Sequence, residues 1–176
     1  GGQALAASTD HTDARKEPEA GSHGGERRTS LRDRNPARLR AEDLSVQRIL
    51  VVEDSFSMRA FVRAALEDPA AGLGPVDVVE AATGFDALRL LPRGPYQLVI
   101  SDINMPHING LELVRFIRQS DQHRETRVLL ISTQASERDR ERGLSLGADG
   151  YLPKPFTPEE LWSAVGQHLP SDAPAQ

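Results

Sequence analysis

Leu98-Val99-Ile100-Ser101-Asp102-Ile103-Asn104-Met105-Pro106 decides how this chain folds. Three apolar residues stand together without polar alternation, then stop at a hydroxyl and a carboxylate. Such a run has no face for water. It reads as a strand covered on both sides, the signature of a parallel sheet. The same pattern recurs along the chain. Ile49 to Val52 ends in Glu53-Asp54, and Val128 to Ile131 ends in Ser132-Thr133. Val76 to Ala81 is a further β-like run, and the short Tyr151-Leu152 leads into Pro153-Lys154-Pro155.

Helical spacing fills the intervals. Met58, Val62, Ala65 and Leu66 recur at helical positions within Ser57 to Glu67. Leu88 and Leu91 do so after Gly84, and Leu113, Val114 and Ile117 do so after Gly110. Ser136 to Leu146 is charged, with Gly147 placed to end it in the left-handed conformation. Thr157-Pro158-Glu159-Glu160 supplies a cap, a first-turn proline and first-turn acids to a last helix striped by Leu161, Val165 and Leu169. Five strands alternating with five helices predict a doubly wound α/β fold with right-handed crossovers.

Parallel order brings every strand end to one edge, and ligands of open α/β sheets bind beyond that edge. Glu53, Asp54, Asp102, Ser132 and Lys154 are therefore expected to converge. Three carboxylates side by side repel and raise one another's proton affinity. A cation resolves the conflict, and oxygen ligands without His or Cys suit a hard ion such as Mg²⁺. A carboxylate beside such an ion can act as a nucleophile toward phosphorus. Alone, a strand-end aspartate more often caps a turn, and Asp54 also stands where it could cap the first helix.

VVEDSFSMR (51–59), VISDINMPHINGLEL (99–113), LLIST (129–133) and GADGYLPKPFTPEEL (147–161) resemble, in this order, the motifs of response-regulator receiver domains. The resemblance covers residues 48–169. It implies the flavodoxin-like receiver fold with strand order 2-1-3-4-5, Asp102 as phosphoacceptor, and Mg²⁺ held by Glu53, Asp54, Asp102 and the main-chain carbonyl of Asn104. It implies that Lys154 and Ser132 contact phosphoryl oxygens. Ser132 and Tyr151 would act as a coupled switch, and a cis bond would precede Pro155. Glu53 and Ser132 stand where Asp and Thr are commoner. Asn104 and Gln134 occupy positions that set the lifetime of the acyl phosphate. The resemblance further implies a histidine kinase or phosphotransfer protein as donor and a downstream protein as target. The module would be a switch rather than an enzyme, beyond its own phosphorylation and autodephosphorylation. Its output surface would lie at the fourth helix, fifth strand and fifth helix, bordered by Thr133, Gln134 and Tyr151. It is similar both to single-domain chemotaxis regulators and to the terminal receiver of a hybrid histidine kinase.

Composition bounds the remainder. The chain has 176 residues, 38% hydrophobic, with no cysteine, which excludes disulfides and thiolate chemistry. No apolar run is long enough to span a membrane, and no secretory leader is evident. A cytoplasmic protein is expected. Net charge is −5. The excess acid lies after residue 47, which argues against general nucleic-acid binding. Residues 1–45 hold few large apolar side chains and read as a disordered tail or linker, as do 171–176. Six arginines between Arg27 and Arg40 and a short helix over 37–44, capped by Asn35-Pro36, are the features of that tail. The domain proper is expected over 46–170, with output through protein contact since only seven residues follow Leu169. His11, His23, His107, His123 and His168 show no metal spacing. Other classes fit less well. An aspartyl phosphotransferase of the haloacid-dehalogenase type usually carries a second Asp where Asn104 stands. A nucleotide binder lacks its glycine-rich loop. A docking module without phosphorylation would not require all of these polar groups.

Overall fold

The computed structural model describes residues 46–133 and 137–170. Five strands, β1 (Gln47–Val52), β2 (Val76–Ala81), β3 (Leu98–Asp102), β4 (Arg127–Ser132) and β5 (Gly150–Pro153), form one parallel sheet in the order β2-β1-β3-β4-β5. Helices α1 (Phe56–Glu67), α2 (Gly84–Leu90), α3 (Gly110–Gln119), α4 (Glu137–Ser145) and α5 (Pro158–Gly166) alternate with them. The expected doubly wound fold and strand order are those observed. The first helical tail segment, Gln134 and Ser136 lie outside the described residues.

The period-two geometry of a strand sorts each apolar run onto two faces. Leu50, Val52, Val99, Val128 and Leu130 pack with Ala87 of α2 and with Leu113, Val114 and Ile117 of α3. Ile49, Val51, Leu98, Ile100, Leu129 and Ile131 pack with Val62 and Leu66 of α1 and Leu161 and Val165 of α5. Leu50, Leu98, Ile100, Leu130 and Ile131 are fully buried. Unbroken hydrophobicity in the sequence is thus two interleaved sets of core residues. Trp162 joins the helices of the second face, its indole donating to the Ala65 carbonyl at 2.7 Å.

Helix starts follow side-chain chemistry, with one correction. Ser55, not Asp54, caps α1: its hydroxyl accepts from the Met58 amide. That leaves the Asp54 carboxylate out of the helix start. Asn109 and Thr157 each form a reciprocal capping box, with Glu112 and Glu160 respectively. Gly147 ends the α4 segment at φ 106°, where its amide bonds to Leu144. The α5 helix stops at Gly166, so Leu169 packs half-buried beyond its end, not on the helical stripe. Among the described residues, no helix is long and apolar enough to cross a membrane.

Candidate functional site

The carboxyl ends of β1, β3, β4 and β5 hold the site, and register brings them level. Val52 pairs with Ser101, Asp102 with Ile131, and Ser132 with Pro153. Sheet-like bonds extend one residue past the strands. The Glu53 amide donates to Ala81, Ile103 to Ile131 and Lys154 to Ser132, at 2.8–3.1 Å. Glu53, Asp102 and Lys154 thus stand on rigid scaffold, not on free loop.

The loop after Asp102 is also held. Asn109 caps α3, and the Gly110 amide donates to the Ile103 carbonyl at 3.0 Å. Gly110 approaches β3 so closely that a Cβ there would collide with the Asp102 carbonyl oxygen and Ile103 Cα. His107 turns the loop at φ 67°, a left-handed conformation in which a non-glycine residue is uncommon.

All three predicted carboxylates come together. One oxygen from each of Glu53, Asp54 and Asp102 lies within 4.8 Å of the others. Glu53 is 1% exposed and Asp102 4%, whereas Asp54 is open to solvent. The Lys154 ammonium donates to Glu53 Oε2 at 2.7 Å and lies 3.3 Å from Asp102 Oδ1. Asp102 Oδ1 is buried and has no hydrogen-bond partner, since the lysine approach lacks the alignment of one. Glu53 Oε1 accepts from the Ser55 amide at 3.0 Å.

Among the described residues, the Lys154 ammonium is the cation in direct contact with this carboxylate cluster. Burial raises the Glu53 pKa, with the hydrogen bond from Lys154 opposing. For Lys154, burial disfavours the ammonium. The Glu53 hydrogen bond and the Asp102 charge outweigh it, and its pKa is raised. Both shifts run upward, for Glu53 chiefly through burial and for Lys154 through its carboxylate partners. The all-oxygen donor set and the orphaned buried Asp102 Oδ1 fit a hard divalent cation.

The switch candidates are placed less uniformly. Ser132 is fully buried at the end of β4 and its hydroxyl accepts from the Asn104 side-chain amide at 3.1 Å. Tyr151 lies opposite Leu130 and packs half-buried on the α3 face. Asn104 is exposed, two residues beyond Asp102. The Lys154–Pro155 peptide is cis, as is Gly94–Pro95, which the sequence reading did not anticipate.

Two contacts escaped that reading. One is the Asn104–Ser132 side-chain bond, which neither the carbonyl role nor the phosphate-lifetime position of Asn104 implies. The other is Arg59, whose guanidinium donates to the Glu53 carbonyl at 2.7 Å.

An open five-stranded sheet with acids, a hydroxyl and a lysine at its carboxyl edge defines a two-component signalling receiver. Residues 49–166 match the family model described as the response regulator receiver domain, and the chain belongs to that family. It is 35% identical over 115 residues to a chemotaxis protein CheY homolog of Campylobacter jejuni, covering 65% of this chain and 85% of that protein. It is 41% identical over 130 residues to a probable transcriptional regulatory protein of Picosynechococcus, covering 70% of this chain and 49% of that protein. The chain therefore spans about half the length of that relative. Chemotaxis response regulator CheY4 of Vibrio cholerae superposes with a TM-score of 0.64 at 35% identity, over 70% of this chain and 99% of that one. The receiver domain of a sensor histidine kinase of Pseudomonas aeruginosa, solved with magnesium in its active-site cleft, gives 0.61 at 30% identity over 69% of this chain and 96% of that one.

Proposed function

We propose that this receiver takes a phosphoryl group onto Asp102 from a phosphohistidine of a kinase or phosphotransfer protein. The observation that carries the reading is the buried Asp102 Oδ1, 3.3 Å from Lys154 without an aligned hydrogen bond and clustered with two further carboxylates. Glu53, Asp54 and Asp102, with the Asn104 main-chain carbonyl, would hold Mg²⁺. The magnesium in the cleft of the Pseudomonas receiver supports that ion. When bound, Mg²⁺ neutralises charge that develops on the phosphoryl oxygens.

A carboxylate oxygen of Asp102 attacks phosphorus as the P–N bond to the donor imidazole breaks. The leaving nitrogen keeps the bonding pair, and an aspartyl phosphate remains. Lys154 starts beside Asp102 and pairs with a phosphoryl oxygen. Ser132 donates its hydroxyl to another phosphoryl oxygen. Tyr151, on β5 beside Leu130 of β4, follows Ser132 and alters the surface offered to a downstream protein. Such a change biases a two-state element through a local charge event.

Intact-mass measurement after incubation with acetyl phosphate tests the reading. Wild type with Mg²⁺ should gain one phosphoryl group. Asp102→Asn, or wild type in EDTA, should gain none. A folded wild type that takes no phosphate under any condition would sink the proposal and leave a docking module.

A further inference from the structure

Glu53 is tethered at every polar atom. Its amide bonds to Ala81 of β2. Its two carboxylate oxygens accept from Ser55 and Lys154. Its carbonyl accepts from Arg59 Nη1 at 2.7 Å. Arg59 is itself fixed from the other side. Its Nε lies 3.3 Å from Glu80 Oε1 on β2, and its side chain is only 14% exposed. Glu80 is held in turn by Arg63, one helical turn on, whose Nη1 bonds to Oε2 at 2.7 Å. The exposed Phe56 ring packs beside the Arg59 guanidinium at 5.8 Å.

This chain of contacts runs from β2 through α1 to the peptide joining Glu53 to Asp54. A carbonyl held in place fixes the plane of that peptide, and that plane sets the direction in which Asp54 leaves the backbone. Asp54 is exposed, so its direction follows from the main chain that carries it. We infer that Arg59 is a positioning residue for the cation site: it holds the Glu53–Asp54 peptide so that both carboxylates face Asp102. The inference rests on the proposed Mg²⁺ reading of the carboxylate cluster. It assigns the work to geometry. A guanidinium can bond to the carbonyl and Glu80 at once through its rigid fork, whereas a lysine ammonium offers a compact point charge.

Mg²⁺ titration followed by amide chemical shifts, with urea unfolding in EDTA alongside, separates the possibilities. Arg59→Gln should weaken Mg²⁺ binding about tenfold, the size usual when a partner that orients a metal ligand is lost. Arg59→Lys should weaken it nearly as much despite keeping the charge. Glu80→Gln, which leaves the carboxylates and Arg59 in the chain, should weaken it by a smaller factor. Wild-type affinity in Arg59→Gln overturns the inference. Wild-type affinity in Arg59→Lys with loss in Arg59→Gln also overturns it, because charge alone would then suffice. Absence of Mg²⁺ binding by folded wild type would instead remove the parent reading, and this one with it.

Discussion

Replacing Glu53 by Gln should make the metal-free domain more stable. Glu53 is buried, pairs with Lys154 at 2.7 Å, and has Asp102 and Asp54 within 4.8 Å. At an effective dielectric constant of about 20, the lysine attracts it by about 6 kcal/mol and Asp102 repels it by at least about 3.5 kcal/mol. Asp54 is exposed and screened, and at the dielectric constant of water it adds about 1 kcal/mol of repulsion. The Coulomb balance therefore favours the ionised group by only about 1–2 kcal/mol. Withdrawing a carboxylate from water costs several kcal/mol. The difference agrees in sign with burial as the leading cause of the raised Glu53 pKa. Glutamine keeps the shape and can still accept from Ser55, but loses the strong bond from Lys154. Allowing for that loss, Glu53→Gln should gain about 1–2 kcal/mol in EDTA, with the comparison made by urea unfolding at fixed pH. Wild type in Mg²⁺ at ten times its dissociation constant should recover about 1.4 kcal/mol, and the variant much less. A variant less stable than wild type in EDTA, at unchanged denaturant slope, would refute the reasoning. The Lys154 pair would then outweigh the burial of its partner.

The pH dependence of the metal-free domain should carry the same signature. A carboxyl whose folded pKa is raised contributes stability below its ordinary value and loses it as pH rises through the raised one. In EDTA, wild type should therefore lose stability from the ordinary glutamate range upward relative to Glu53→Gln; parallel curves would remove Glu53 as the cause. Gly110→Ala should destabilise by about 1–3 kcal/mol despite alanine's better helix propensity. The added Cβ would strike the Asp102 carbonyl and Ile103, so acetyl phosphate labelling should slow as well. Unchanged thermal stability and labelling in that variant would show that the loop yields without moving Asp102.

The strands and the acidic site were legible for one reason. A strand covered on both sides has no polar residue until it leaves the core, so the first polar residues mark the edge where function gathers. Ser101-Asp102, Glu53-Asp54, Ser132 and Lys154 all announce themselves that way. Roles that depend on direction were not legible. Arg59 reads as an ordinary polar position of an amphipathic helix, and nothing in its spacing says that it reaches back to the Glu53 carbonyl. Asp54 and Ser55 are both good capping residues, and only the backbone path chose Ser55. Leu169 continues the helical spacing of Leu161 and Val165, yet the helix ends at Gly166. Packing beyond the helix end preserved its burial without preserving the helix. The switch roles proposed for Ser132 and Tyr151 would belong to a change between states, which spacing along a chain does not encode.

The bond between Lys154 and Glu53 spans 101 positions of the chain. Translation proceeds from the N-terminus, so Glu53, Asp54 and Asp102 leave the ribosome while their counter-charge is still unmade. Strands β1 to β4 can pair before β5 exists, which gathers three acids around an uncompensated centre. Arrival of the final strand then does two jobs in one docking event: it covers the flank of β4 and delivers the ammonium. Polypeptides stalled or cleaved before Lys154 would carry a sheet that is nearly whole around a charge cluster that is not, and cellular quality control would meet them as acidic, incompletely closed intermediates.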